Sequence, residues 1–260
     1  MAEAGQFSIS DADALLELIY SSPSGRIVIV GGQAVNLWAE RYTPDEPKLL
    51  KFLPFTSRDL DLLGDIANAY RLATETSSTV EKPRRRAASP VLANVEVKTG
   101  NIVRSIQFLK SVRGVTKREI DENAVQFLIG ETKISVADPI TMLKAKLHNL
   151  VELDQHGRND RNHVEILRLC VPLFLERQLR AAEETDAAAR ESLRSMQRVL
   201  QLSRSSISRR LVEFDWKGLI PIERLKKIRN QRLRKFTEQQ LERWLKSLAR
   251  CRRAHWRFRL

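Results

Sequence analysis

The stretch Arg26-Ile27-Val28-Ile29-Val30-Gly31-Gly32, with the helical pattern Ala34, Val35, Leu37, Trp38 after it and then Thr56-Ser57-Arg58-Asp59-Leu60-Asp61-Leu62-Leu63, decides how this chain is read. A short β-branched run ending in glycine predicts a buried strand. Glycine suits the strand-to-helix turn because it takes unusual backbone angles and leaves the amides open to a phosphate. In the second segment successive side chains alternate faces. Asp59 and Asp61 therefore point one way, while Leu60 and Leu62 point into the core. Two carboxylates side by side repel each other unless a cation lies between them, and that is the arrangement needed to hold Mg²⁺ on a nucleoside triphosphate.

A glycine pair after a strand, or an Asp-x-Asp alone, carries little information; their order along the chain carries much more. Val30-Gly31-Gly32-Gln33-Ala34 and Phe55-Thr56-Ser57-Arg58-Asp59-Leu60-Asp61-Leu62 resemble the nucleotidyltransferase fold, the polymerase-beta-like superfamily, and within it the AbiEii-type toxin branch. The resemblance spans roughly residues 26 to 170. It implies that Gly31, Gly32, Gln33 and Ser57 meet the nucleotide and that Asp59 and Asp61 are catalytic metal ligands for Mg²⁺. A third acid is expected on the strand Ile102 to Leu109, where Gln107 stands instead. Glutamine hydrogen-bonds but neither brings charge to a cation nor serves as a base. Glu96, on the preceding strand, is the candidate substitute.

Asp138-Pro139-Ile140-Thr141-Met142-Leu143-Lys144-Ala145-Lys146-Leu147 resembles the family's helix and puts its lysine at Lys146, on triphosphate oxygens. Lys144, two residues away, lies on another face and reads as solvated. Arg158-Asn159-Asp160-Arg161-Asn162-His163 resembles the motif opening the next helix, with Asp160 as the family's acid and Asn159 in the usual lysine position. His148 and His163 read as structural or surface residues, since no spacing suggests a metal-ligand set.

At 260 residues, 42% hydrophobic and 30% charged, the chain holds one full core and an appended module. No apolar run reaches the roughly 20 residues of a membrane span, and the start lacks the features of a secretion signal. Cys170 and Cys251 are too few for a disulfide framework or zinc site; Cys170 reads as a core thiol and Cys251 as incidental. A cytoplasmic protein is expected. The net charge of +13 points to a polyanionic partner, most simply nucleic acid.

The remaining pattern predicts a helix from Asp11 to about Ser21, begun by a Ser10–Asp13 capping box. It places the next helix up to Tyr42, an irregular proline-bearing stretch from Thr43 to Phe55, and a helix from Asp65 to about Thr74. Strands are expected at Val91 to Lys98, Ile102 to Leu109, Ala124 to Ile129 and Lys133 to Ala137, with turns at Gly100 and Gly130. The Pro- and Arg-rich segment Glu81 to Pro90 reads equally as a solvated loop or a phosphate-meeting loop. Helices follow from Asp138, from near Asn159 with a break or kink at Pro172, from about Leu173 to Leu200, and from a Thr237–Gln240 cap.

From Arg209 to Leu260 seventeen Lys and Arg face five Asp and Glu, an excess of twelve. Trp216, Trp244, Trp256 and Phe258 are interleaved with them, which suits RNA, where bases stack and phosphates pair. Trp244 keeps register with leucines and reads as core. Arg252, Arg253, Arg257 and Arg259 are the better contact candidates.

The fold class expected is α+β: a nucleotidyltransferase-like mixed sheet of about five strands with flanking helices, followed by an all-helical basic C-terminal region. Its divisions are 1–137, 138–200 completing the site, and 201–260. The expected activity is transfer of a nucleoside monophosphate from an NTP to an acceptor, most simply tRNA. The resemblance implies the toxin of a bacterial toxin–antitoxin or phage-defence system with a cognate antitoxin. Two alternatives stand beside it: an impaired, nucleic-acid-binding relative of the fold, and a DNA-binding regulator using Val199 to Leu211 as a helix-turn-helix segment.

Overall fold

The structure is a computed structural model and describes residues 6–83, 89–99, 102–211 and 213–248. The arginine loop at 84–86, Gly100, Cys251, Trp256, Phe258 and the candidate contacts Arg252, Arg253, Arg257 and Arg259 lie outside the described residues. The chain divides into two compact units, Met1–Leu167 and Arg168–Leu260.

The first unit is α+β. Its strands are β1 (Val28–Val30), β2 (Asp59–Leu63), β3 (Val80–Glu81), β4 (Val91–Thr99), β5 (Ile102–Leu109), β6 (Val125–Ile129) and β7 (Thr132–Val136). They form one mixed sheet in the order β3-β4-β5-β2-β1-β7-β6. β2 lies parallel to β5 and β1 parallel to β7; the other neighbours are antiparallel. The sheet has seven strands where about five are expected; each segment that the pattern marks is present, and the strand it does not mark, two-residue β3, is too short to show a period.

Its helices are α1 (Asp13–Ser21), α2 (Gly31–Tyr42), α3 (Ile66–Glu75), α4 (Lys117–Asn123) and α5 (Pro139–Glu152). Leu60, Leu62, Ile106, Phe108 and Val95, paired across β2, β5 and β4, are wholly buried on one face of the sheet. Burial of side chains this size contributes about 1.5–3 kcal/mol each. α1 and α3 pack together, against β7 and β4, while α2 packs on β1, β2 and α5. Trp38 on α2 donates its Nε1–H to the Ala137 carbonyl at 2.8 Å, tying the helix to the end of β7. The first capping box is two residues earlier than predicted. Ser8 and Asp11 exchange hydrogen bonds, Ser8 N–H to Asp11 Oδ2 at 2.9 Å and Asp11 N–H to Ser8 Oγ at 3.3 Å.

The second unit is all-helical. α6 (Asp160–Ala181) begins in the first unit and runs on into the second; α7 is Asp186–Ser203, α8 Ser206–Arg210, α9 Ile222–Lys226 and α10 Gln231–Phe236. α6 passes through Pro172 without ending there. The apolar series Val164, Leu167, Val171, Leu175, Leu179 keeps a three- or four-residue step across the proline and is buried throughout. That burial outweighs the one lost backbone bond. The true break is at 182–185, where Thr185 caps α7 by accepting from Ala188 N–H at 3.1 Å. The stripe over 173–200 looks ragged because it pools two helices of different register.

Thr237 does not start a helix. Asn230 caps α10, and Thr237 donates its hydroxyl back to the Leu233 carbonyl at 2.9 Å in a helical path that continues through a π-helical turn at Thr237–Leu241. Trp244 is buried, with its Nε1–H on Ser203 Oγ at 2.7 Å. Cys170 is buried, and burial alone pushes its thiol up.

Candidate functional site

β1 turns straight into α2 at Gly31, whose φ of +69° is in the left-handed region that glycine alone enters freely. Register explains why nothing larger fits: Val30 sits opposite Asp61, so the residue after it lies against that carboxylate. A methyl group at Gly31 would stand 1.8 Å from Asp61 Oδ2. The next amide, Gly32 N–H, donates to the Asp61 carboxylate. A methyl group at Gly32 would lie 2.8 Å from Ser57 Oγ and 3.5 Å from His163 Cε1, so those two side chains flank the elbow.

Asp59 and Asp61 share one face of β2 as the alternation requires, with Leu60 and Leu62 buried on the other. Across the neighbouring strands two rows form on the face of the acids. Asp61, Gln107 and Asn94 are one row; Asp59, Ser105 and Glu96 are the next. Gln107 is therefore directly beside Asp61, at the position where the third acid is expected. Glu96 is exposed and two strands from Asp59, roughly 10 Å at ordinary strand spacing. Ser105 donates its hydroxyl to Asn94 Oδ1 at 3.0 Å, while the side chain of Gln107 makes no hydrogen bond among the described residues.

Lys146 is buried on α5, which Asp138 caps by accepting from the amides of Ile140 and Thr141. Its Nζ lies 3.0 Å from Asp160 Oδ1. Asp160, at the first position of α6, also receives Arg158 Nε at 2.6 Å on Oδ2 and Asn149 Nδ2 at 3.3 Å on Oδ1. Burial works to raise its acid, but Lys146 and Arg158 outweigh it and the carboxyl is held below its ordinary value. For Asp61 the balance goes the other way. Burial, joined by the charge of Asp59, pushes it up to about 6 against the pull of Lys146 and Arg158. His163, one turn after Asp160, is brought down to about 3 by burial and by the two cations, so its imidazole stays neutral at ordinary pH. Its Nδ1 is buried without a hydrogen-bond partner.

The fold thus brings Gly31, Gly32, Ser57, Asp59, Asp61, Gln107, Lys146 and Asp160 into one neighbourhood and leaves two expected residues out, Glu96 at the distance just given and Gln33. Gln33 is wholly buried, and its Nε2 donates to the Phe7 carbonyl at 2.8 Å; it fastens the N-terminal segment that bridges Ser57. Two further residues join that the sequence reading did not place there. Arg158 acts on Asp61, Asp160 and His163 alike; its signal was its place two residues before the motif acid. His163 had a weaker one, the three-residue step from Asp160 that puts both on the first turn of a helix. Lys144 points elsewhere, pairing with Glu119 at 2.7 Å rather than standing in solvent, and His148 pairs with Glu152 at 3.0 Å.

Neither Asp59 nor Asp61 has an ion-pair partner among the described residues, and no three His, Cys, Asp or Glu side chains there cluster to cage a metal. Two uncompensated carboxylates beside neutral Gln107 still fit a Mg²⁺ that arrives on phosphates, since such an ion needs only one or two protein carboxylates.

No protein-family model and no curated protein matches the chain. Among solved structures it is similar to an antigenic nucleotidyltransferase-like protein from Paracoccidioides brasiliensis, at 13% identity and a TM-score of 0.41, over 65% of this chain and 79% of that one. No helix among the described residues is long and apolar enough to cross a membrane.

Proposed function

We propose that the chain is a nucleotidyltransferase that moves a nucleoside monophosphate from an NTP to an acceptor hydroxyl and releases pyrophosphate. One observation carries this reading: Asp61, which shares its strand face with Asp59, lies against the Gly31-Gly32 elbow and within reach of the charges of Lys146 and Arg158. Ser57 and the elbow orient the triphosphate. Lys146, fixed by Asp160, and Arg158 offset the charge that builds on the departing pyrophosphate. Mg²⁺ held by Asp59 and Asp61 would neutralise the triphosphate and polarise the phosphorus under attack. The acceptor oxygen forms its bond to the α-phosphorus as the bond to pyrophosphate breaks.

The finer parts of the proposal rest on the sequence. The excess of basic residues after Arg209 favours RNA, tRNA foremost, as acceptor. The resemblance to AbiEii-type toxins favours a toxin paired with an antitoxin, in the bacterial cytoplasm.

Labelled NTPs, Mg²⁺ and total RNA should give labelled RNA, and Asp59→Ala should lower that transfer about a thousandfold, at or beyond the loss of one electrostatic contact in a transition state. Absence of label on any acceptor would overturn the proposal. Gln107 beside Asp61 favours a second reading, a fold that keeps nucleic-acid binding without chemistry. It predicts RNA binding that survives Asp59→Ala and needs no Mg²⁺. The regulator reading has less support: Val199 to Leu211 is not one recognition helix but the end of α7, a turn and the five-residue α8, whose Ile207 and Ser208 are buried.

A further inference from the structure

In the second unit, Arg224, Lys227, Arg229, Asn230 and Glu183 line a cavity of about 680 Å³. The sequence places its cations there by a simple step. Leu225 and Ile228, three residues apart, are buried and anchor the segment. Arg224 and Lys227 keep the same step one residue earlier, so both project on one side of the anchor. The chain then leaves α9 at Lys227 and enters α10 through its cap Asn230, which leaves Arg229 between the two helices.

These charges are poorly compensated. Lys226, which does not line the cavity, pairs with Glu223 at 2.7 Å. The side chains of Lys227 and Arg229 have no hydrogen bond or ion pair among the described residues. Arg224 reaches Glu183 only at 3.4 Å, and its Nε is buried without an acceptor. Asn230 spends its Oδ1 on the amides of Arg232 and Leu233 and holds the Ala182 carbonyl only at 3.5 Å. Three cations and an amide against one carboxylate thus line a concavity and give it a net positive charge.

We propose that this cavity seats a phosphate of a polynucleotide backbone, Arg224 as a planar fork and Lys227 and Arg229 as point charges. It deepens the function proposed above by giving the RNA acceptor a place on the helical unit, and it rests on that reading only for the acceptor's identity. The binding itself needs neither NTP nor Mg²⁺.

The test uses the full chain in EDTA, without nucleotide, and measures the affinity for a fluorescent single-stranded RNA across a salt series. Lys227→Ser/Arg229→Ser is compared with Arg232→Ser/Lys235→Ser, which removes two exposed charges of α10 outside the cavity. The cavity variant should weaken RNA binding about tenfold and flatten the salt slope by about 1.4, two single-strand contacts' worth. The control should change binding less than about twofold. Equal effects of the two variants would mean diffuse charge and would overturn the cavity. A duplex DNA of the same length separates the sources: loss with RNA alone or with both supports a phosphate seat, and RNA binding untouched by the cavity variant sinks it. Because no transfer is measured, failure here leaves the nucleotidyltransferase proposal standing, and failure of transfer leaves this one standing.

Discussion

Asp160 and Lys227 show how differently the two units handle charge. Asp160 is 2% exposed and takes three donors, from Lys146, Asn149 and Arg158. Lys227 is exposed and has no ion pair among the described residues. At Asp160 the charge is out of water, so an unmatched one costs several kcal/mol and its neighbours are fixed in place. At Lys227 water does the compensating, and such a charge contributes little to the fold. The lesson is that the same residue types inform on different things: inside, on geometry; outside, on what binds.

The comparison breaks most readily at Lys146. Lys146→Met leaves Asp160 with Arg158 and Asn149, and urea unfolding should register a loss of about 3 kcal/mol, the low end for a broken buried pair. Lys226→Met, which removes an exposed pair, should leave the urea midpoint almost unmoved. Equal effects would mean that burial does not separate the two units in this way.

A smaller change is expected within α6. Pro172→Ala should stabilise by about 2 kcal/mol, roughly 3 for a proline inside a helix less up to about 1 for freedom regained by the unfolded chain. Helix content by circular dichroism should hardly change, because the helix already continues to Ala181. A marked rise in helicity would show a real break at the proline.

The smallest effect is one of pH. Asp61 has its acid near 6 when folded and near 3.8 when unfolded. Between those values the folded chain holds more protons at Asp61, so that group's contribution to stability is greatest below about 3.8 and is lost as pH rises through 6. Asp61→Asn removes that dependence. The difference in urea midpoint, variant minus wild type, should therefore grow from pH 4 to pH 6.5 in EDTA and shrink when Mg²⁺ and NTP are added. A difference that stays flat would place Asp61 in water, away from Asp59.

Much of the site was legible because a strand has a period of two. Asp59 and Asp61 had to share a face once Leu60 and Leu62 went inward, and Gly31 had to be glycine once the strand turned directly into a helix. Lys146 and Asp160 were found through the resemblance, since nothing in local spacing links residues on different helices. Arg158 and His163 were missed for the same reason. Gln33, next to the elbow in sequence, is turned into the core by the helical step of about 100° per residue.

In the helical unit the apolar spacing across Pro172 was present in the sequence but weaker than the proline signal, so the break was put ten residues too early. What the chain alone determined is the local alternation: which side chains go in, where the elbow lies, and how much positive charge remains outside. Which of the inward charges face one another depended on how α5, packed on α2, and the first turn of α6 come together beside the elbow. Pairing across the chain follows from burial, where an unmatched ion is costly, and burial exists only once the elements have come together.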